Sequence, residues 1–380
     1  MARSLASVRR ILRLEPTVTK GLLLAKVDGW ECGLKQGNAR VGDYIVYFEV
    51  DSFLPATDAR FASLGKTHIH NGSMIMWNGK FGFHVMTKQL ERTVSQGLIM
   101  PLSDFPEITK VIAELEENTS KEEAMQKVMS MSFDSELKVV KWEHRITARG
   151  KEMGNSLGPV PAFLPKSDLK RVQNCPNLFT EKYKDAVYQE SVKMDGSAET
   201  MYFVCCDTPW YKALTPLDGH ADKPKGRFGV CTRKHHLPNK PGCLYWRAAA
   251  FYSLPQKLEA LGTNLAIQGE LCGSSINKNR EGFTGDKHDF YVYRIFDIDA
   301  QAALSPRETE KMTQELGLKH VPVKGYYRLH DIATSQEELL QRAEGVGIFG
   351  KPREGLVYKN VNDGRCFKVI SNAYLIGIGE

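Results

Sequence analysis

The residues best suited to chemistry lie near the middle of the chain, in Glu190-Ser-Val-Lys193-Met-Asp195-Gly196-Ser197. Val187, Tyr188 and Val192 read as a buried strand, and Asp195-Gly196 as the turn that ends it. Lys193 therefore sits at a strand end. Its amine is a nucleophile only when uncharged, and an ordinary lysine pKa of about 10.4 keeps it protonated unless burial or nearby cations depress it. A carboxylate two residues on offers a route, because a hydrated divalent cation held there would lower the amine's basicity and neutralise a phosphate. Taken alone, the same four residues also describe a solvated turn with a surface lysine.

The stretches downstream separate these readings. In order come Gly229-Val-Cys-Thr-Arg233-Lys, Gln268-Gly-Glu270-Leu-Cys-Gly273, Tyr293-Arg-Ile-Phe296-Asp-Ile, Glu354-Gly355-Leu-Val-Tyr-Lys and Cys366-Phe-Lys368-Val-Ile-Ser371. Each is weak by itself. As an ordered set of six with the lysine stretch, they resemble the covalent nucleotidyltransferase superfamily of ATP-dependent ligases and mRNA-capping enzymes.

DNA ligases and capping enzymes carry an oligonucleotide-binding (OB) domain after the last lysine motif. This chain ends twelve residues after Lys368, so the expectation is that none follows. Instead Val27-Asp-Gly-Trp30, Val41-Gly-Asp-Tyr-Ile-Val-Tyr-Phe-Glu-Val-Asp51-Ser-Phe-Leu-Pro55 and Ser95-Gln-Gly-Leu-Ile-Met-Pro-Leu102 resemble an N-terminal OB module, and Lys166-Ser-Asp168-Leu-Lys-Arg171 fits ahead of the lysine. The pattern is similar to the ATP-dependent RNA ligase family with that module. Three departures stand out: Val192 where glutamate is common, Lys234 where asparagine is usual, and an insertion from Cys205 through Gly226 marked by Pro209, Pro216 and Pro224.

The resemblance implies sealing of RNA 3′-OH and 5′-phosphate ends through a lysyl-AMP on Lys193 and an RNA adenylate, with ATP and Mg²⁺ or Mn²⁺ as cofactors. It implies RNA or an RNA-containing nicked duplex as partner. By the same resemblance Lys368 sits on the α-phosphate, Phe296 stacks on adenine, and Arg171 and Arg233 contact ribose or phosphate. Glu270 and Glu354 serve the nucleotide, and with Asp195 they hold the metal through water. Read from residue types alone, Phe296 is also a core position, Glu270 a strand-end carboxylate, Arg171 a helix-surface residue, and Asp195 and Glu354 turn acids beside glycines.

The elements that must position these groups follow from the rest of the chain. With 380 residues, 42% hydrophobic and 25% charged, the chain has the composition of a globular protein with two or three cores. No apolar run reaches the roughly 20 residues that span a bilayer. A net charge of +6 permits a nucleic-acid partner without requiring one. Eight scattered cysteines without a Cys-x-x-Cys pair fit free thiols in a reducing compartment such as cytoplasm or nucleus. The basic, acid-free start, with Arg9, Arg10 and Arg13, leaves organelle import open, although it runs into an apparent strand. A monomer is the default expectation.

Short β-like runs up to Leu102, among them Leu22 to Val27, Tyr44 to Val50 and Gly97 to Met100, indicate a small barrel of OB type, with lectin-like or SH3-like barrels as alternatives. Lys66, His68, His70, Trp77, Lys80, Phe81, Phe83, His84, Lys88 and Arg92 interleave there. They could be a base-stacking, backbone-tracking surface, or a loop with core aromatics. Residues 103–160 read as a partly helical linker: an amphipathic run from Ile108 to Glu117, a capping box at Ser120 to Glu123, then a loop with Gly150, Gly154, Asn155, Ser156, Gly158, Pro159 and Pro161. Residues 161–380 form an α+β nucleotidyltransferase domain with antiparallel sheets, after an OB-like domain at 1–102. Phe251, Leu254, Leu258 and Leu261 mark one helix face, and Ser305 and Ser335 cap two further helices.

One expectation is purely geometric. A two-residue turn at Asp363-Gly364 would set Lys368 opposite Lys359 and point Glu354 to the other face of the sheet. If both serve one pocket, either the loop around Val361 to Gly364 is longer or the alternation breaks near Gly355.

Overall fold

The computed structural model describes residues 4–62, 64, 71–90, 93–142, 156–166, 168–214 and 225–378. Lys66, His68, His70, Arg92, Gly150, Gly154, Asn155, Pro216 and Pro224 lie outside the described residues. The chain forms two units, Met1–Arg145 with Leu375–Glu380, and Ile146–Tyr374.

In the first unit the strand Ala6–Pro16 is central. Its first half pairs with Tyr44–Phe48 and, past a register shift between Ile11 and Arg13, its second half pairs with Leu22–Val27. One strand thus turns the corner of a half-barrel ordered Leu98–Pro101, Tyr44–Phe48, Ala6–Pro16, Leu22–Val27, Trp30–Lys35. Ala6, Val8 and Ile11 are fully buried, so the basic N-terminal stretch supplies a core strand.

The helices Pro106–Glu116 and Lys121–Met129 do not link domains as expected for 103–160. Phe105, Ile108, Met125 and Val128 join Phe48, Leu54 and Phe83 in the core of this first unit, and the capping box at Ser120 and Glu123 is formed. Their amphipathic faces needed a partner, and the half-barrel supplies it. The interleaved basic and aromatic residues divide between core and surface, and not by simple strand alternation. Phe83 and His84 are buried and Trp77 packs on Phe53, whereas Lys80, Phe81 and Lys88 are exposed.

The second unit contains two sheets. One orders Lys170–Arg171, Cys366–Ile370, Gly355–Asn360, Val187–Lys193, Val323–Arg328; the other is built around Gly226–Thr232, Ser197–Cys205, Leu265–Gly273 and His288–Asp297. Lys193 ends a strand of the first sheet and Ser197 opens a strand of the second, so the turn between them carries the chain from sheet to sheet.

Period-2 alternation assigns each face. On the five-stranded sheet Tyr188, Leu356, Tyr358, Phe367 and Val369 pack under Leu329 and Leu339. Glu190, on that side, is fully buried and paired with Arg342 at 2.6 Å and the Tyr358 hydroxyl at 2.9 Å. The larger sheet buries Met201, Phe203, Ile267, Leu271 and Val292 against Leu254 and Leu258.

The face marked by Phe251 to Leu261 is not one helix. Leu244–Phe251 and Leu254–Leu261 are separated by a left-handed Ser253 (φ 52°), leaving Phe251 80% exposed. Ser305 and Ser335 cap their helices as expected. Cys205 pairs directly with Gly226, so the strands flanking the insertion are paired up to its two ends. All eight cysteines are free thiols, and among the described residues no helix is long and apolar enough to cross a membrane.

Candidate active site

The site starts from the turn between the sheets. Gly196 must be glycine there because a Cβ would lie 2.4 Å from the Leu271 carbonyl oxygen. That close approach sets Ala198 opposite Glu270 on the neighbouring strand. On the other sheet Lys193 lies opposite Gly355, so Glu354 reaches it from just outside the ladder: Lys193 Nζ donates to Glu354 Oε2 at 2.6 Å.

The hairpin register answers the geometric question. Asn360 N donates to the Arg365 carbonyl, closing a loop over Val361 to Gly364, and Lys368 pairs with Val357 instead of Lys359. Lys193, Val357, Lys359 and Lys368 thereby share a face. The alternation also breaks at Gly355, whose φ of 154° and a Cβ only 2.0 Å from the Val369 oxygen admit glycine alone. The longer loop leaves Lys368 on the face of Lys359, so it is the break at Gly355 that lets Glu354 and Lys368 serve one side. Arg171 lies in parallel register beside Lys368, adding a second cation to that strand pair.

Burial alone would lower the Lys193 pKa, but the charges of Glu354 and Glu270, the bond to Glu354 and the charge of Asp195 outweigh it and raise it above the ordinary value. In this state the amine is an ammonium. Glu270 is pushed up to about 7, first by burial, with Lys193 opposing and Glu354 and Asp195 adding to it.

A fourth carboxylate, Glu281, was not singled out in the sequence. It is 6% exposed, accepts the Asp195 N–H at 2.7 Å, and is likewise pushed up to about 7, chiefly by burial. An acidic group of this kind is short of positive charge, which suits a hard divalent cation. Among the described residues no three acidic, histidine or cysteine side chains are grouped to ligate one ion directly.

Asp195, expected to hold a metal through water, is held by three neighbouring side chains. Its Oδ1 accepts Asn277 Nδ2 at 2.9 Å and its Oδ2 accepts the Tyr374 hydroxyl at 2.5 Å, with Arg280 at 3.7 Å. Asn277 also donates to the Gly196 carbonyl at 2.6 Å. Asn277, Lys278 and Asn279 are three consecutive residues with left-handed φ of 44°, 57° and 53°. Such a run costs energy, and side-chain bonds hold it: Asn277 to the lysine turn, and Asn279 to both backbone groups of Phe283.

Two other expected residues have contacts of their own. Arg233 is about half exposed and pairs with Asp168. Phe296 is 7% exposed in an apolar cluster with Phe163, Tyr202 and Ala266, so a base could stack on it only where that packing opens. Two residues that the sequence showed without a role tie this wall together. Arg294 donates to Gln268 at 2.6 Å and to the Lys166 carbonyl at 2.8 Å, while Gln268 donates to the Pro165 carbonyl at 3.0 Å. Lys359, directed at the Tyr293 carbonyl, is lowered to about 8 by burial.

Comparison with known proteins agrees with this architecture. Residues 186–370 match the RNA ligase family model, and residues 5–102 match an OB-fold domain model. No curated relative matches by sequence. Among solved structures, Naegleria gruberi RNA ligase is 32% identical in each of three forms. An apo mutant covers 99% of this chain and 98% of its own at a TM-score of 0.76. A mutant with AMP and manganese covers 99% of each at 0.77, and a mutant with ATP and manganese covers 99% and 98% at 0.74. By fold, site and sequence, this chain belongs to the RNA ligase family, with an N-terminal OB-fold domain ahead of an α+β ligase domain.

Proposed function

We propose that this ligase uses ATP to join RNA 3′-OH and 5′-phosphate ends through a lysyl-AMP on Lys193. The observation that carries the reading is the single amine of Lys193 set against Glu354 and Glu270, with Lys368 and Arg171 on the same sheet. Naegleria gruberi RNA ligase, with its ATP, AMP and manganese complexes, supports a nucleotide and a divalent metal here.

In the first step Lys193 Nζ attacks the α-phosphorus of ATP; a P–N bond forms and the bond to pyrophosphate breaks. The amine must first lose a proton, and Glu354 Oε2 at 2.6 Å is the nearest acceptor. Lys368 and Arg171 offset the charge on the phosphate, and the work is otherwise positioning of attacking and departing groups in line. A bound divalent cation, held through water by Glu270 and Glu354, would lower the amine's proton affinity and neutralise phosphate charge. AMP then passes to an RNA 5′-phosphate oxygen, and a 3′-OH displaces it to close the phosphodiester.

Asp195 acts through its bonds to Asn277 and Tyr374, which fix the turn that aims the amine. The test incubates the protein with labelled ATP or GTP, a divalent cation and RNA nicks. An AMP adduct and sealed RNA are expected; a GMP adduct, or sealing that needs no nucleotide, overturns the reading.

A further inference from the structure

Nine residues immediately before Glu354 form a closed loop whose tip is apolar and exposed. Gly345 to Arg353 is pinned at its base: Arg353, 8% exposed, donates to the carbonyls of Arg342, Ala343 and Glu344 at the end of the preceding helix, and Val346 bridges Pro352. Across the loop Gly347 N donates to the Lys351 carbonyl at 2.7 Å. Val346 beside the base is 65% exposed, and at the tip Phe349 is 46% and Ile348 39% exposed. Burying these side chains elsewhere would be favourable, so a rigid loop that holds them in solvent calls for an occupant.

The surroundings identify its chemistry. Phe349 lies against Phe283, ring centroids 4.6 Å apart. A Cβ on Gly347 would lie 3.3 Å from Glu281 Oε2, and Glu281 in turn accepts the N–H of Asp195. The tip therefore borders the lysine turn itself, with Lys351 of the loop exposed beside Gly282. A pair of aromatic rings with one partly exposed, a lysine on the rim and a phosphate-transfer site next to it form the combination that takes up a nucleotide, base on ring and phosphate on lysine.

We propose that the Gly345–Arg353 loop is a stacking platform for the terminal base of the RNA end presented to Lys193, with Phe349 as the contacting ring. This rests on the proposed RNA-sealing reading. Stacking on an aromatic ring tolerates any base, so the platform would position an end without selecting its sequence. The loop is braced at its base by Arg353, and Phe349 rests on Phe283, whose backbone Asn279 holds from both sides.

The experiment compares wild type with Phe349→Ala, Phe349→Leu and Phe349→Trp in two assays: AMP transfer from ATP to the protein without RNA, and sealing of a pre-adenylylated RNA nick over a range of nick concentrations. Phe349→Ala is expected to leave AMP transfer unchanged and to raise the KM for the nick about 5- to 150-fold, the loss of one stacked base. Trp should restore sealing and Leu should not. An unchanged KM in Phe349→Ala overturns the proposal, as does equal rescue by Leu and Trp, which would make the ring only packing for Phe283. A fall in AMP transfer parallel to the sealing defect overturns it too, placing the loop's effect on Glu281. A change in the mass of the protein in solution on Phe349→Ala would assign the tip to contact between copies instead. Absence of any AMP adduct in wild type would fail the sealing reading, a result these variants do not imitate.

Discussion

Tyr374→Phe tests whether the bonds to Asp195 set the geometry of the nucleophile. The variant removes one O–H donor and no carbon atom. Tyr374 is 7% and Asp195 8% exposed, so water cannot readily replace the lost 2.5 Å bond. Burial, together with the neighbouring Glu354 and Asp195, raises the tyrosine pKa and keeps it a donor. A hydrogen bond to a charged group contributes about 1.5–3 kcal/mol, and if Asp195 aims the lysine turn that loss falls on the transfer step, slowing it about 10- to 150-fold. Single-turnover transfer of AMP to Lys193 measures the rate, and urea unfolding measures stability separately. Asn277→Ala removes the bond to Asp195 Oδ1 and the bond to Gly196. The two variants act on one carboxylate, so their effects should be non-additive in a double-mutant cycle. Wild-type transfer rates in a Tyr374→Phe protein that has lost the expected stability would refute this role of the bonds.

Three further predictions concern the scaffold. His236 is 6% exposed beside the Tyr202 hydroxyl at 3.2 Å, and burial with the Arg227 charge lowers it to about 4. The unfolded chain, with a histidine pKa of about 6.5, binds more protons between these values, so stability should fall by up to about 3 kcal/mol as pH drops from 6.5 to 4; His236→Gln should flatten that part of a urea-unfolding series, and an unchanged slope contradicts the assignment. Glu199 is fully buried with neither carboxylate oxygen hydrogen-bonded, and burial raises its pKa well above the usual range; Glu199→Met should raise the urea midpoint by about 1–3 kcal/mol of stability, and destabilisation would show that the acid has a partner. Gly355→Ala places a Cβ 2.0 Å from the Val369 oxygen at a φ of 154°, so it should lose at least about 1–3 kcal/mol in the same assay; wild-type stability would mean that the break in alternation is relaxed at no cost.

What the sequence disclosed depended on how locally each feature is written. Lys193 at a strand end, the capping boxes at Ser120 and Ser305, and the strand Leu22–Val27 are settled by residues within a few positions, and the structure has all of them. The helical segment after Leu102 was visible, but not its place in the first core, because an amphipathic face does not name its partner. The apolar spacing from Phe251 to Leu261 ran through Ser253, whose left-handed backbone leaves no mark in the hydrophobic pattern. Most hidden were the groups around Asp195. Asn277, Glu281 and Tyr374 lie 82, 86 and 179 residues from the positions they hold. Two of them stand in an irregular loop, where periodicity says nothing. The glycine density and the asparagines around Asn277 and Asn279 were the available sign, since asparagine tolerates the left-handed backbone.

The most direct test of the account maps the nucleotide adduct. The protein is incubated with ATP and a divalent cation without RNA, digested, and the modified residue located by mass spectrometry, alongside Lys193→Ala. AMP on Lys193 is predicted, with none on Lys193→Ala, and that variant should still seal a pre-adenylylated RNA nick, because the last step needs no lysyl intermediate. AMP on another residue such as Lys359, or ATP-dependent sealing of 5′-phosphate ends by Lys193→Ala, would contradict it.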